Sequence, residues 1–154
     1  MKGYTATEVV SAADRNIWEE ATALVARLPE SKVVRCHELA RAVGEILDLR
    51  VQDGKFGMVE HSWLWLPSGN ILDVYVPGAL PMVQLVYVGM PLPIVQAYRP
   101  EPERDDVDEE VVAHLRSLMR PRPSPVVVGG KPVDPCPGCG EPKDDGRCLA
   151  CGYN

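Results

Sequence analysis

The sequence predicts an α+β domain followed by a small metal-folded tail. Three patterns point there: helical spacing of apolar residues near both ends of the first 120 residues, strand-like runs between them, and four of five cysteines within the last 19 residues. Helices and strands fall in separate blocks instead of alternating, which favours helices segregated on an antiparallel sheet.

Residues Thr7 to Leu28 place Val10, Ala13, Ile17, Ala21, Leu24 and Leu28 at steps of three and four, predicting an amphipathic helix. Thr7 is the expected N-cap and Pro29 the stop. A second helix is expected over Val34 to Leu47, with Cys36, Leu39, Ala40, Val43, Ile46 and Leu47 as its buried stripe. His37, Glu38, Arg41 and Glu45 lie off that stripe, so His37 is expected at the surface.

Strand chemistry follows. Leu49 to Val51 is a short candidate, with Asp53-Gly54 as a turn signal. Met58 to Leu66 and Ile71 to Val76 read as a hairpin around Pro67-Ser68-Gly69-Asn70, and Val83 to Val88 as a further strand. Met90 to Pro102 carries four prolines and is expected to be extended and irregular. Asp105 to Met119 gives the last helix, through Val107, Val111, Val112, Leu115 and Leu118. The acidic run Glu101 to Glu110 suits its positive end and a solvated face, and His114 is expected at its surface.

Six of the 15 prolines fall between Pro121 and Pro137, around Gly129-Gly130. The expected organisation is therefore a domain at 1–119, a proline-rich linker at 120–134 and a metal-bound unit at 135–154. The net charge of −6 argues against nucleic acid as a partner, because phosphate binding rests on Lys and Arg. A start without an apolar leader run, and no stretch near the ~20 apolar residues that span a bilayer, predict a cytoplasmic protein with no membrane association.

In the tail, Cys136-Pro-Gly-Cys139 and Cys148-Leu-Ala-Cys151 form two C-x-x-C pairs eight residues apart. Each tight turn aims two thiolates at one ion, and four thiolates close a tetrahedral site with no open catalytic position. One structural zinc ion is the expected cofactor, and it would supply the folding energy of a segment poor in apolar residues. The segment resembles a short zinc ribbon of the CPxCG…CxxCG kind. From Lys131 on, four acids stand against three bases, favouring a protein partner for the ribbon.

Cys36 is left alone, in the first turn of a helix, where unpaired N–H groups and the helix dipole favour a thiolate. A nucleophilic thiol needs a base and a group that orients the base. Both follow in the hairpin. Even positions Leu64, Leu66, Leu72, Val74 and Val76 are aliphatic, while odd positions are His61, Trp63, Trp65, Asp73 and Tyr75. If the loop has an odd length, such as Ser68-Gly69-Asn70, His61 and Asp73 share one face of adjacent strands. Trp63 and Trp65 would then wall a substrate cleft or cover the sheet.

The order Cys36 at a helix start, His61 in His61-Ser62-Trp63 and Asp73 closing Gly69-Asn70-Ile71-Leu72-Asp73 resembles the transglutaminase-like branch of the papain-like cysteine proteases. The resemblance covers about residues 33–77. It implies a small papain-like fold and a Cys36–His61–Asp73 triad performing acyl transfer on an amide-containing protein or peptide. The implied activity is that of a cysteine peptidase, deamidase or transglutaminase-like enzyme. The Cys36 N–H would be one oxyanion donor, with no second assigned by the sequence. The competing reading is a non-catalytic zinc-ribbon adaptor that binds a protein partner, with Cys36 as core packing.

Overall fold

The computed structural model of the chain describes residues 10–29, 34–75, 82–87, 89–121, 126–128 and 131–133, the last two segments as backbone. The chain divides into two compact units, Met1–Arg120 and Pro121–Asn154. The first is α+β. Its described residues form four helices and a five-stranded antiparallel sheet.

Helix α1 (Ala12–Val25) starts later than the periodicity suggests, because Ser11 is the cap: its Oγ accepts the Asp14 N–H at 3.0 Å. Thr7 lies outside the described residues. The helix ends in tightened turns, with Arg27 and Leu28 N–H groups bonding to the carbonyls of Leu24 and Val25 ahead of Pro29. Asp14 is buried and accepts Ser68 Oγ at 2.7 Å and Asn70 Nδ2 at 2.8 Å, pinning the later hairpin loop onto α1.

Helix α2 (Cys36–Leu47) buries Leu39, Ala40, Ala42 and Val43 completely. It also buries His37 and Glu38, contrary to the single-stripe expectation. The reason is packing on two sides: α2 touches both the sheet strand carrying His61 and the last helix, so its buried arc is wider than one stripe.

Asp53-Gly54 is not a turn. Strand β1 (Arg50–Phe56) runs through it and pairs with β2 (Val59–Trp65) from Arg50↔Trp65 to Phe56↔Val59. The turn is the two-residue loop Gly57-Met58, with Gly57 at φ 63°. Gly54 instead lets another backbone approach: a Cβ there would sit 2.1 Å from the Arg99 carbonyl oxygen and 2.7 Å from the Trp63 ring.

Strand β3 (Ile71–Asp73) pairs with β2 through Leu64↔Leu72 and Trp65↔Ile71. The Leu66 N–H donates to the Asn70 carbonyl at 2.9 Å, leaving Pro67-Ser68-Gly69 as the loop, odd in length as the parity argument requires. Strand β4 (Gln84–Val86) pairs with β3. The stretch expected to be irregular instead forms α3 (Leu92–Ala97) and β5 (Tyr98–Pro100). Its prolines fit, since Pro93 sits in the first helical turn and Pro100 ends a strand at the sheet's edge. Helix α4 (Glu109–Met119) begins after Asp108, whose carboxylate caps the Glu110 and Val111 N–H groups. The strand order is β4-β3-β2-β1-β5.

The two sheet faces differ. Leu64, Leu66, Leu72 and Val74 join α1, α2 and α4 in one aliphatic core, where each fully buried Leu contributes about 1.5–3 kcal/mol. Trp63, Ile71, Val86 and Tyr98 form a second, aromatic cluster with Phe56 and Trp65. Tyr75 departs from the alternation: past the end of β3 it packs against the aliphatic core. Val76 lies outside the described residues.

In the second unit, β6 (Val126–Val128) and β7 (Lys131–Val133) pair antiparallel within the segment expected to be a proline-rich linker. Three consecutive valines and a two-residue Gly-Gly connection are the strand and hairpin signals underlying it. Cys136, Cys139, Cys148 and Cys151 lie outside the described residues.

Candidate active site

The site is built where β3 stops short. On the β2–β3 register the residue facing Asp73 is Trp63, so His61, two residues earlier on β2, stands on the same face as Asp73. His61 Nε2 and Asp73 Oδ2 are 2.8 Å apart, and the two side chains are 1% and 0% exposed. Asp73 Oδ2 also accepts the Tyr98 hydroxyl at 2.6 Å, and Oδ1 accepts the Tyr75 N–H at 2.9 Å. These donors fix the carboxylate, so His61 can meet it only by donating Nε2–H, which leaves Nδ1 free. Tyr98 is held protonated: burial, the charge of Asp73 and the hydrogen bond to it all push its phenol well above the ordinary value.

Cys36 is a half-buried free thiol in the first turn of α2. The cap residue Arg35 is extended and makes no side-chain hydrogen bond to the helix N-terminus, so the first N–H groups of α2 keep their electropositive field. Burial pushes the thiol up, but hydrogen bonding and charge from His37 and His61 outweigh it, and its pKa falls from 9.0 to about 6. The same coupling acts in reverse on His61. Burial lowers its pKa, while hydrogen bonds to Asp73 and Cys36 and their negative charges raise it from 6.5 to about 9. Between those values the favoured state is thiolate with imidazolium.

A second polar chain reaches the same sulfur. His37, expected at the surface, is 6% exposed, and its Nδ1 lies 3.7 Å from Cys36 Sγ and 2.7 Å from Ser62 Oγ. Ser62 Oγ donates in a short hydrogen bond to Asp53 Oδ1. Asp53 receives Arg41 through both nitrogens, at 3.1 and 2.7 Å, and the Arg104 N–H at 2.9 Å. Burial would raise the Asp53 carboxyl, but Arg41, Ser62 and the Arg104 backbone hold it below the ordinary carboxylate range. A groove lined by Arg41, Glu45, Gln52, Asp53, Glu101 and Glu109 opens beside this ion pair, and neither Cys36 nor His61 lines it.

The structure thus brings His61 and Asp73 into contact and sets the Cys36 thiol under the influence of His61. Trp63 is wholly buried, with Trp65 edge-on to it, so Trp63 covers the sheet and does not wall an open cleft. His37, Ser62, Asp53, Arg41 and Tyr98 were missed by sequence reasoning. Ser62 offered the one available signal: a hydroxyl on the aliphatic row with Leu64 and Leu66 needs a buried partner.

Among the described residues no helix is long and apolar enough to cross a membrane, and no cluster of His, Cys, Asp or Glu could hold a metal ion. No protein-family model, curated protein or solved structure matches the chain.

Proposed function

We propose that the first unit is a thiol-dependent acyl-transfer enzyme of transglutaminase-like, papain-like type, acting on an amide-containing protein or peptide. Cys36 is the nucleophile, His61 the base and acid, and Asp73 the group that orients His61. The observation that carries this reading is the buried His61–Asp73 pair coupled to a half-buried thiol at an uncapped helix start.

In the proposed reaction the Cys36 thiolate forms a bond to the acyl carbon. The negative charge that develops on the acyl oxygen meets the free N–H groups of α2, that of Cys36 among them. The C–N bond then breaks as His61 gives its Nδ1 proton to the departing amine, leaving a thioester. A second acceptor attacks the thioester, His61 Nδ1 takes its proton, and the thiolate is released. Water as acceptor gives hydrolysis or deamidation, whereas an amine gives a new amide.

The test is an electrophilic peptide probe followed by mass spectrometry of the full-length protein. A single adduct on Cys36, lost in His61→Ala and strongly reduced in Asp73→Asn, supports the enzyme. A folded wild-type protein whose Cys36 stays unmodified contradicts it and returns the adaptor reading.

For the tail, Cys136, Cys139, Cys148 and Cys151 are proposed to hold one structural zinc ion, on the strength of their paired spacing, with the ribbon as a surface for a protein partner. One zinc per chain, lost when any of the four is changed to serine, is the expected metal content; a metal-free chain overturns this part.

A further inference from the structure

We propose that His37 is a second, fixed-tautomer donor to the Cys36 sulfur, oriented by a Ser62–Asp53–Arg41 chain, and not a spare base. This rests on Cys36 being the nucleophile.

Asp53 is paired with both Arg41 nitrogens, so its carboxylate only accepts. Ser62 has one hydroxyl proton, and that proton is given to Asp53. Toward any further partner Ser62 Oγ is therefore an acceptor. His37 Nδ1, 2.7 Å away, must carry a hydrogen to meet it. The same Nδ1 lies 3.7 Å from Cys36 Sγ, a reach suited to the larger radius of sulfur. An Nδ1–H shared between Ser62 and Cys36 cannot accept the thiol proton. It can hold the thiolate once that proton has gone to His61.

The arrangement gives the sulfur two histidines with separate duties. His61 presents Nδ1, since Nε2 is committed to Asp73. His37 presents Nδ1–H, since its proton is committed by Ser62. The other charged groups around Cys36 pair with one another. Arg35 lies 3.4 Å from Glu38 and 3.3 Å from Asp106, and Arg104 joins Asp106 at 2.7 Å and Glu60 at 2.7 Å. Among the described residues the sulfur's polar partners are His37, at 3.7 Å, and His61.

The experiment follows alkylation of Cys36 by iodoacetamide across pH, with the signal of Cys36→Ser subtracted. His37→Leu fills the space but has no donor, whereas His37→Asn keeps an N–H near the Nδ1 position. His37→Leu is expected to slow alkylation at pH 5 about tenfold, and at neutral pH only about twofold, by raising the thiol's titration about one unit, with His37→Asn within about twofold of wild type at pH 5. Ser62→Ala, a smaller change that spares packing, is expected to move the titration in the same direction by freeing the tautomer. Equal titration of wild type and His37→Leu overturns the proposal. So does a His37→Asn protein as impaired as His37→Leu, or a Ser62→Ala protein with the wild-type curve. Because no substrate is used, a titration sensitive to His37 in a protein without acyl-transfer activity would fail the enzyme reading alone. An ordinary thiol in wild type would fail both.

Discussion

His61 and His37 flank one sulfur, and the difference between their supports separates their roles. His61 touches its carboxylate directly, and the other partners of Asp73 are a phenol and a backbone N–H, both uncharged. The Asp73 charge therefore acts on the imidazole. His37 meets its carboxylate only through Ser62, and the Asp53 charge is matched by the Arg41 guanidinium. One arm delivers charge to a ring; the other delivers only orientation. A base needs the first, and a fixed donor needs the second.

This contrast breaks most severely at Asp73. Asp73→Asn keeps the shape but removes the charge facing His61, and acyl-transfer turnover should fall about a hundred- to ten-thousandfold. A fall of that size measured on a peptide substrate, with little change in folding, fits the charged arm. On the other arm, Arg41→Met leaves Asp53 buried without its cation and should cost about 3–5 kcal/mol in urea unfolding, where partnerless buried charge dominates. A loss under about 1 kcal/mol would mean that Asp53 is not held as an ion pair.

The pH dependence sharpens the same comparison. The depressed Asp53 carboxyl contributes stability that is fully present above its ordinary value of 3.8 and is lost as pH falls through the lower native value. Arg41→Met should therefore converge on wild type in acid denaturation. Acyl transfer should instead follow a bell, rising as the thiol ionises near 6 and falling as His61 loses its proton near 9. Smallest is Tyr98→Phe, which removes one hydroxyl from Asp73 and should cost about 1 kcal/mol in thermal unfolding and turnover less than tenfold.

Much of the charged arm was legible in the sequence, because it is written in period-two alternation. Aliphatic residues at Leu64, Leu66 and Leu72 fix one face, so His61 and Asp73 must share the other once the loop is odd. The orienting arm was not legible. It joins β1, β2 and α2 across the aliphatic face, and the spacing of Arg41, Asp53 and Ser62 follows no single period. His37 was misplaced because a stripe argument assumes one packing partner, whereas α2 has two. Asp53 was hidden by the Asp-Gly signal, which local chemistry reads as a turn. At Gly54 the missing side chain instead admits the β5 backbone, a tertiary demand that no local pattern records.

The central claim is that His61 and Cys36 form a thiolate–imidazolium pair, and the thiolate's ultraviolet absorbance reads it directly. In the difference between wild type and Cys36→Ser, the account predicts a titration near pH 6 that moves upward toward the ordinary 9.0 in His61→Ala. A wild-type thiol that already titrates near 9.0, unmoved by loss of His61, would contradict it.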